Sequence, residues 1–102
     1  MKKTIYIFIR TDLSASQKTV QSAHVVLEAT RTFHLVDNRY NIVVVVAKSE
    51  AKLKAIVAEA AGHGIRTVSF AEPDMGNEIT AVASEPLDDD QKKVFIRYKL
   101  LS

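Results

Sequence analysis

A chain of 102 residues with no cysteine and a formal net charge of +2 fits one domain of ordinary size. The missing cysteines exclude a disulfide framework and thiolate chemistry. The mild positive charge permits contact with a polyanion without demanding it. No stretch approaches the roughly 20 apolar residues that span a bilayer, so no membrane partner is expected. The apolar run behind Met1-Lys2-Lys3 stops at Arg10 and is too short for the core of a signal peptide. These features suit a cytoplasmic protein.

The first element is the apolar run Thr4–Ile9, read as a buried strand that ends in Arg10-Thr11-Asp12-Leu13. From Ser16 to about His34 the pattern is helical. At about 100° per residue, Val20, Ala23, Val26, Leu27 and Phe33 gather on one side. Gln17, Gln21, His24, Glu28 and Arg31 gather on another. Asn41–Ala47 is continuous and β-branched, which suits a strand covered on both faces, as in a parallel sheet. The first unit is therefore strand–helix–strand.

Ser49 is placed to cap a second helix, whose buried face reads as Leu53, Ile56, Val57, Ala60 and Ala61. Gly62-His63-Gly64 ends it. Ile65–Phe70 and Glu78–Ser84 read as a third and a fourth strand. The interval between them is too short for a helical crossover, so they should be antiparallel or splayed around a loop. Asp88-Asp89-Asp90-Gln91 carries a helix start with a capping box, and the helix is expected to run to about Arg97. The same stretch also alternates like a strand. The order β-α-β-α-β-β-α predicts a single domain over residues 1–102, a three-layer α/β/α sandwich on a four-stranded mixed sheet.

In such folds ligands collect at the carboxyl ends of strands beside helix starts. That directs attention to Arg10 and Asp12. Either they form an ion pair that satisfies the loop, or they bind substrate. Asp74, in Glu72-Pro73-Asp74-Met75-Gly76, can orient or deprotonate a water or simply shape a turn. Lys18 can hold an anion or be an exposed first-turn lysine. His24 can shuttle a proton or pair with Glu28. Gln21 can read a backbone or a ribose hydroxyl, or be solvated. Thr80 can present a hydroxyl or be an ordinary strand residue. His34 and His63 have no ligand spacing relative to His24, so no metal site is expected. The absence of a Gly-rich phosphate loop and a nucleophile elbow argues against covalent catalysis.

Several of these features resemble the type-2 peptidyl-tRNA hydrolase family, in order and over nearly the whole chain. They are the apolar strand into Arg10-Thr11-Asp12-Leu13, the helix with Gln21-x-x-His24 and Val25, the Val-rich second strand, Ser49-Glu50, Gly64 before the third strand, and the terminal Lys99-Leu100-Leu101. The resemblance implies the family's fold and hydrolysis of the ester joining a peptide to tRNA. It assigns Asp74, Lys18, Thr80 and His24 to catalysis and Arg10, Asp12, Gln17, Gln21 and Arg31 to substrate binding, with Lys48 and Lys52 also facing RNA. It implies no cofactor, and a homodimer using Phe95, Tyr98 and Leu101.

The chain departs from the family at the Gly-Lys turn before the glutamine. Here that turn is Ser14-Ala15-Ser16-Gln17-Lys18, leaving either Gln17 or Lys18 at the family lysine's position. The Thr within the family's Asp-Ala-Gly-x-Thr loop and the Pro-Gly of the last strand are also absent. The alternative is a non-catalytic module of the same fold that binds an anion, a nucleotide or a protein.

Overall fold

A computed structural model describes residues 2–36 and 39–101. Its sheet has four strands, which lie side by side in the order second, first, fourth, third of the chain. Strand β1 (Thr4–Arg10) is fully buried and runs parallel to β2 (Asn41–Ala47) and antiparallel to β4 (Glu78–Ser84). Strand β3 (Thr67–Glu72) pairs antiparallel with β4, with a register shift between Phe70 and Ala71. Of the two arrangements expected for the last two strands, antiparallel or splayed, the antiparallel one is found.

Because side chains alternate across a strand, β1 divides its residues between two cores. Ile5, Ile7 and Ile9 join Val25, Ala29, Ala81 and Ala83 under helix α1 (Ala15–Thr32). Tyr6 and Phe8 join Val45, Leu53, Ile56, Val82, Leu87 and Phe95 on the other face, under α2 (Glu50–Gly62) and the C-terminal turns. The result is helix, sheet, helix.

The caps at Ser49 and Asp88 follow the chemistry expected of them, and a third, at Ser14, was not singled out from the sequence. Ser49 Oγ accepts from the Lys52 N–H at 3.2 Å. Ser14 and Gln17 form a reciprocal capping box at the start of α1, and Asp88 and Gln91 form another at the start of α3 (Asp89–Lys92). Gly64 takes the left-handed conformation after α2, with φ 72°.

Four expectations are corrected. Helix α1 is rotated relative to its apolar pattern. It buries Gln21, Val25 and Ala29, a stripe at i, i+4, i+8, and leaves Val20 49% and Leu27 68% exposed. The rotation is possible because the Gln21 amide finds polar partners inside. Strand β3 begins at Thr67, not Ile65, whose side chain instead enters the core on the α2 face.

The last helix stops at Lys92. A run of tight turns follows, in which Phe95 N–H donates to Lys92 O and Tyr98 N–H to Phe95 O. They put Phe95 into the core with no exposure and lay residues 99–101 along β2, with Val46 N–H donating to Lys99 O and Leu101 N–H to Val44 O. This covers the outer edge of β2. Finally, two of the three residues expected to offer a pairing surface are engaged within the chain, while Leu101 stays 39% exposed. Phe95 is core, and the Tyr98 hydroxyl donates to Glu59 at 2.7 Å, with Arg97 bonded to the same carboxylate.

Candidate functional site at the strand ends

Where β1 ends, Arg10 is buried, and its guanidinium is held by carboxylates from two segments. Nε and Nη2 donate to the two oxygens of Asp12 at 3.0 and 2.7 Å. Nη1 donates to Glu78 at 2.6 Å and to the Ile79 carbonyl at 3.3 Å. The planar fork of arginine suits this bidentate geometry. Glu50, in the first turn of α2, accepts from the Ile79 N–H at 2.8 Å, tying that helix start to the same strand end. Arg10 and Asp12 thus form the structural ion pair foreseen as one of their two readings, extended by Glu78.

The hydrogen bond from Arg10, against an opposing loss of hydration, holds the Asp12 carboxyl below its ordinary range. The same bond, first among its causes, raises Arg10. A carboxyl whose pKa is lower in the folded chain than in the unfolded one adds stability above the unfolded value of about 4, and that stability is lost as pH falls toward the folded value. Asp12→Asn should therefore be less stable than wild type at neutral pH, and the gap should shrink in acid. Urea midpoints at about pH 7 and about pH 3 check this. A gap independent of pH would contradict it.

Beside this cluster, α1 and the β3–β4 turn border a cleft of about 250 Å³. It is lined by Gln17, Val20, Gln21, Glu72, Asp74 and Met75, with Ser16 at its edge. The turn is built from Pro73–Met75 as a single 3-10 turn, followed by Gly76 and Asn77 at φ 66° and 62°. Glycine and asparagine tolerate that region best. Asn77 N–H donates to Glu72 O and closes the turn.

Behind the cleft wall lies a buried polar chain. The Thr80 hydroxyl donates to Gln21 Oε1 at 2.8 Å, and Gln21 Nε2 donates to Glu72 at 3.0 Å. Buried amides and hydroxyls need such partners, and no buried side-chain polar atom is left without one among the described residues.

The structure brings some candidate residues together and separates others. Gln17, Gln21 and Asp74 share the cleft. Thr80 is adjacent but fully buried, its proton directed at Gln21. Lys18 lines a different hollow, with Ala15, Thr19, Ser22, Val44 and Leu101, because one residue along a helix is about 100° around it. Gln17, not Lys18, therefore borders the cleft. His24 does not pair with Glu28. Its ring lies parallel on Phe70 at 4.5 Å, while Glu28 accepts from Arg31 at 2.7 Å, and Arg31 sits in the last turn of α1. Glu72 and Glu78 were missed as site residues. They lie opposite one another in the β3–β4 register, which becomes readable only once the hairpin is known.

No protein-family model matches this chain, and neither does any curated protein. Among solved structures it is similar to a protein of unknown function from Agrobacterium tumefaciens strain C58, with a TM-score of 0.72, 19% identity, and coverage of 100% of this chain and 99% of that one. That likeness is one of fold: a compact α/β domain with a four-stranded mixed sheet and three α-helices among the described residues. No helix among the described residues is long and apolar enough to cross a membrane.

Proposed function

We propose that the protein is a binding module whose strand-end cleft receives a positively charged group, an ammonium or guanidinium carried by a peptide or small ligand. The carrying observation is the charge of the lining. Glu72 and Asp74 border the cleft with the amides of Gln17 and Gln21, and no lysine or arginine lines it among the described residues. Arg10, the cation that ends β1, is already engaged by Asp12 and Glu78. A phosphate brought here would meet like charge, whereas a cation would be attracted. Val20 and Met75 offer apolar contact for the aliphatic stem behind such a cation.

Calorimetric titration with a lysine-containing tripeptide and a matching glutamate tripeptide tests the reading. The lysine peptide should bind in a salt-sensitive way, and Asp74→Asn should weaken it by roughly fivefold, the scale of one ion pair in a hydrated cleft. Equal binding of both peptides, or of neither, would overturn it.

A second reading, hydrolysis of peptidyl-tRNA, has one specific support. Gln17, Gln21 and Asp74 come from distant parts of the chain and border one cleft, the convergence that the hydrolase resemblance requires. The exposed Asp74 carboxylate in this cleft is positioned to orient a water. This reading must do without Lys18 in the cleft and without a free Thr80 hydroxyl. Release of peptide from a peptidyl-tRNA, lost in folded Asp74→Ala, would favour it over the binding module.

A further inference from the structure

At the far end of β1 from Arg10, roughly 20 Å away along a seven-residue strand, the charge reverses. A hollow of about 680 Å³ opens there, lined by Lys2, Lys3, Arg39, Tyr40, Arg66 and Glu85. Its size is that of small-ligand sites, about 300–1,000 Å³. Four cations from three separate stretches of chain line it, with one carboxylate among the described residues.

The mounting of these residues is firm. Asn41 N–H donates to Lys3 O at 2.9 Å, Thr4 and Leu87 exchange backbone bonds at 2.9 and 2.8 Å, and Glu85 N–H donates to Arg66 O at 2.9 Å. The segments that carry the cations are therefore laced to one another at the sheet's end.

That carboxylate is occupied. Glu85 accepts from the Arg66 backbone N–H at 2.8 Å and from its guanidinium at 3.3 and 3.4 Å. Arg66 also lies over the Phe33 ring, 5.2 Å from its centroid, so its side chain is held on two sides. Lys2 and Lys3 are exposed and have no carboxylate partner among the described residues. Cations gathered around a concavity reinforce one another's field, and the matching ligand is a compact multiple anion.

We propose that this hollow binds a small ligand bearing a diphosphate, with Lys2 and Lys3 on the phosphates; Arg66, paired with Glu85, lines the same hollow. A diphosphate carries more charge than a single phosphate and can meet cations carried by separate segments of chain. The site is independent of the acidic cleft, so the molecule presents opposite charge preferences at the two ends of its sheet.

Calorimetric titration of the full chain with pyrophosphate, ADP and orthophosphate tests this. Pyrophosphate and ADP should bind saturably and orthophosphate more weakly. The paired Lys2→Gln and Lys3→Gln variant should lose about tenfold in affinity, the scale of two surface charges removed from contact with an anion. Both lysines are exposed, so the fold should persist. Lys54→Gln, an exposed lysine on α2, and Asp74→Asn, in the acidic cleft, should leave the affinity unchanged. ADP binding tighter than pyrophosphate would identify a nucleotide as the ligand, and equal affinities the diphosphate alone. The proposal is overturned by a lack of saturation, by an equal loss in Lys54→Gln, or by no loss in the paired variant. It is also overturned if a single-stranded RNA binds far more tightly than either diphosphate and responds equally to Lys54→Gln, which would assign the charge to a nucleic-acid surface.

Discussion

Phe8→Ala should lower the unfolding free energy by about 3–5 kcal/mol, the range for truncating a buried aromatic. For a small domain with about 5–15 kcal/mol in total, that leaves the native state marginal. Phe8 has no exposure and lies at the hub of the aromatic cluster on the α2 face. Its ring centroid is 5.0 Å from Phe95 and 5.6 Å from Tyr98, both edge-on, and 6.1 Å from Tyr6.

Edge-to-face pairs add about 0.5–1.5 kcal/mol beyond area, and the surrounding strands cannot collapse to fill the void. The loss should also extend beyond the local site. Phe95 and Tyr98 are the contacts that hold the C-terminal turns, and those turns position residues 99–101 over the edge of β2. Urea unfolding checks the magnitude. Leu27→Ala, at a 68% exposed position, serves as the comparison and should move stability by less than about 0.5 kcal/mol. A Phe8→Ala cost as small as that of Leu27→Ala would mean that this aromatic cluster does not carry the core.

The second large effect is a coupling. Gln21→Leu alone leaves the Thr80 hydroxyl buried with only the Phe70 carbonyl at 3.5 Å. Thr80→Val alone leaves Gln21 Oε1 without its donor. Each should cost about 1–3 kcal/mol, the penalty for stranding a buried polar group. The double variant removes both ends of the bond and retains much of the volume. Glu72, only half-buried, turns its freed oxygen to water. The double variant should therefore cost less than the sum of the singles, with an interaction energy of about 1–2 kcal/mol. Strict additivity of the two substitutions would show that the bond is not made in solution. Since Gln21 also lines the cleft, the singles should disturb ligand binding there, whereas the diphosphate hollow should respond to neither.

The helix α1 case shows where reading the chain stops. Its existence was legible, since its periodicity is helical, although its cap at Ser14 was not read from the chain. Its orientation was not. Val20 and Leu27 look like core residues and Gln21 like a solvated one, because hydrophobicity alone ranks them so. The sheet reverses the order, since Thr80 and Glu72, distant in sequence, supply the donor and acceptor that let an amide be buried without penalty. Lys18 follows from the same rotation. One step around the helix carries it out of the cleft and puts Gln17 there.

The site was partly visible in the same way. Arg10 beside Asp12 could be read as an ion pair, because a charged group ending a buried strand needs a partner close in sequence or in space. Glu78 could not be read, since its place opposite Glu72 depends on a hairpin whose register includes a bulge. The basic hollow left no local signature at all. Lys2, Lys3, Arg39 and Arg66 are unremarkable surface residues until the strand ends bring them around one concavity.

What the chain determined by itself was local: β1, β2 and β4, the caps at Ser49 and Asp88, a last pair of strands too close for a helical crossover, and a sheet with helices on both faces. These depend on alternation, β-branching and capping, which act over a few residues. Which face of α1 is buried, where the last helix stops, and which charges share a hollow were decided only by the folded molecule. Each depends on partners that lie far along the chain and meet only when the sheet assembles.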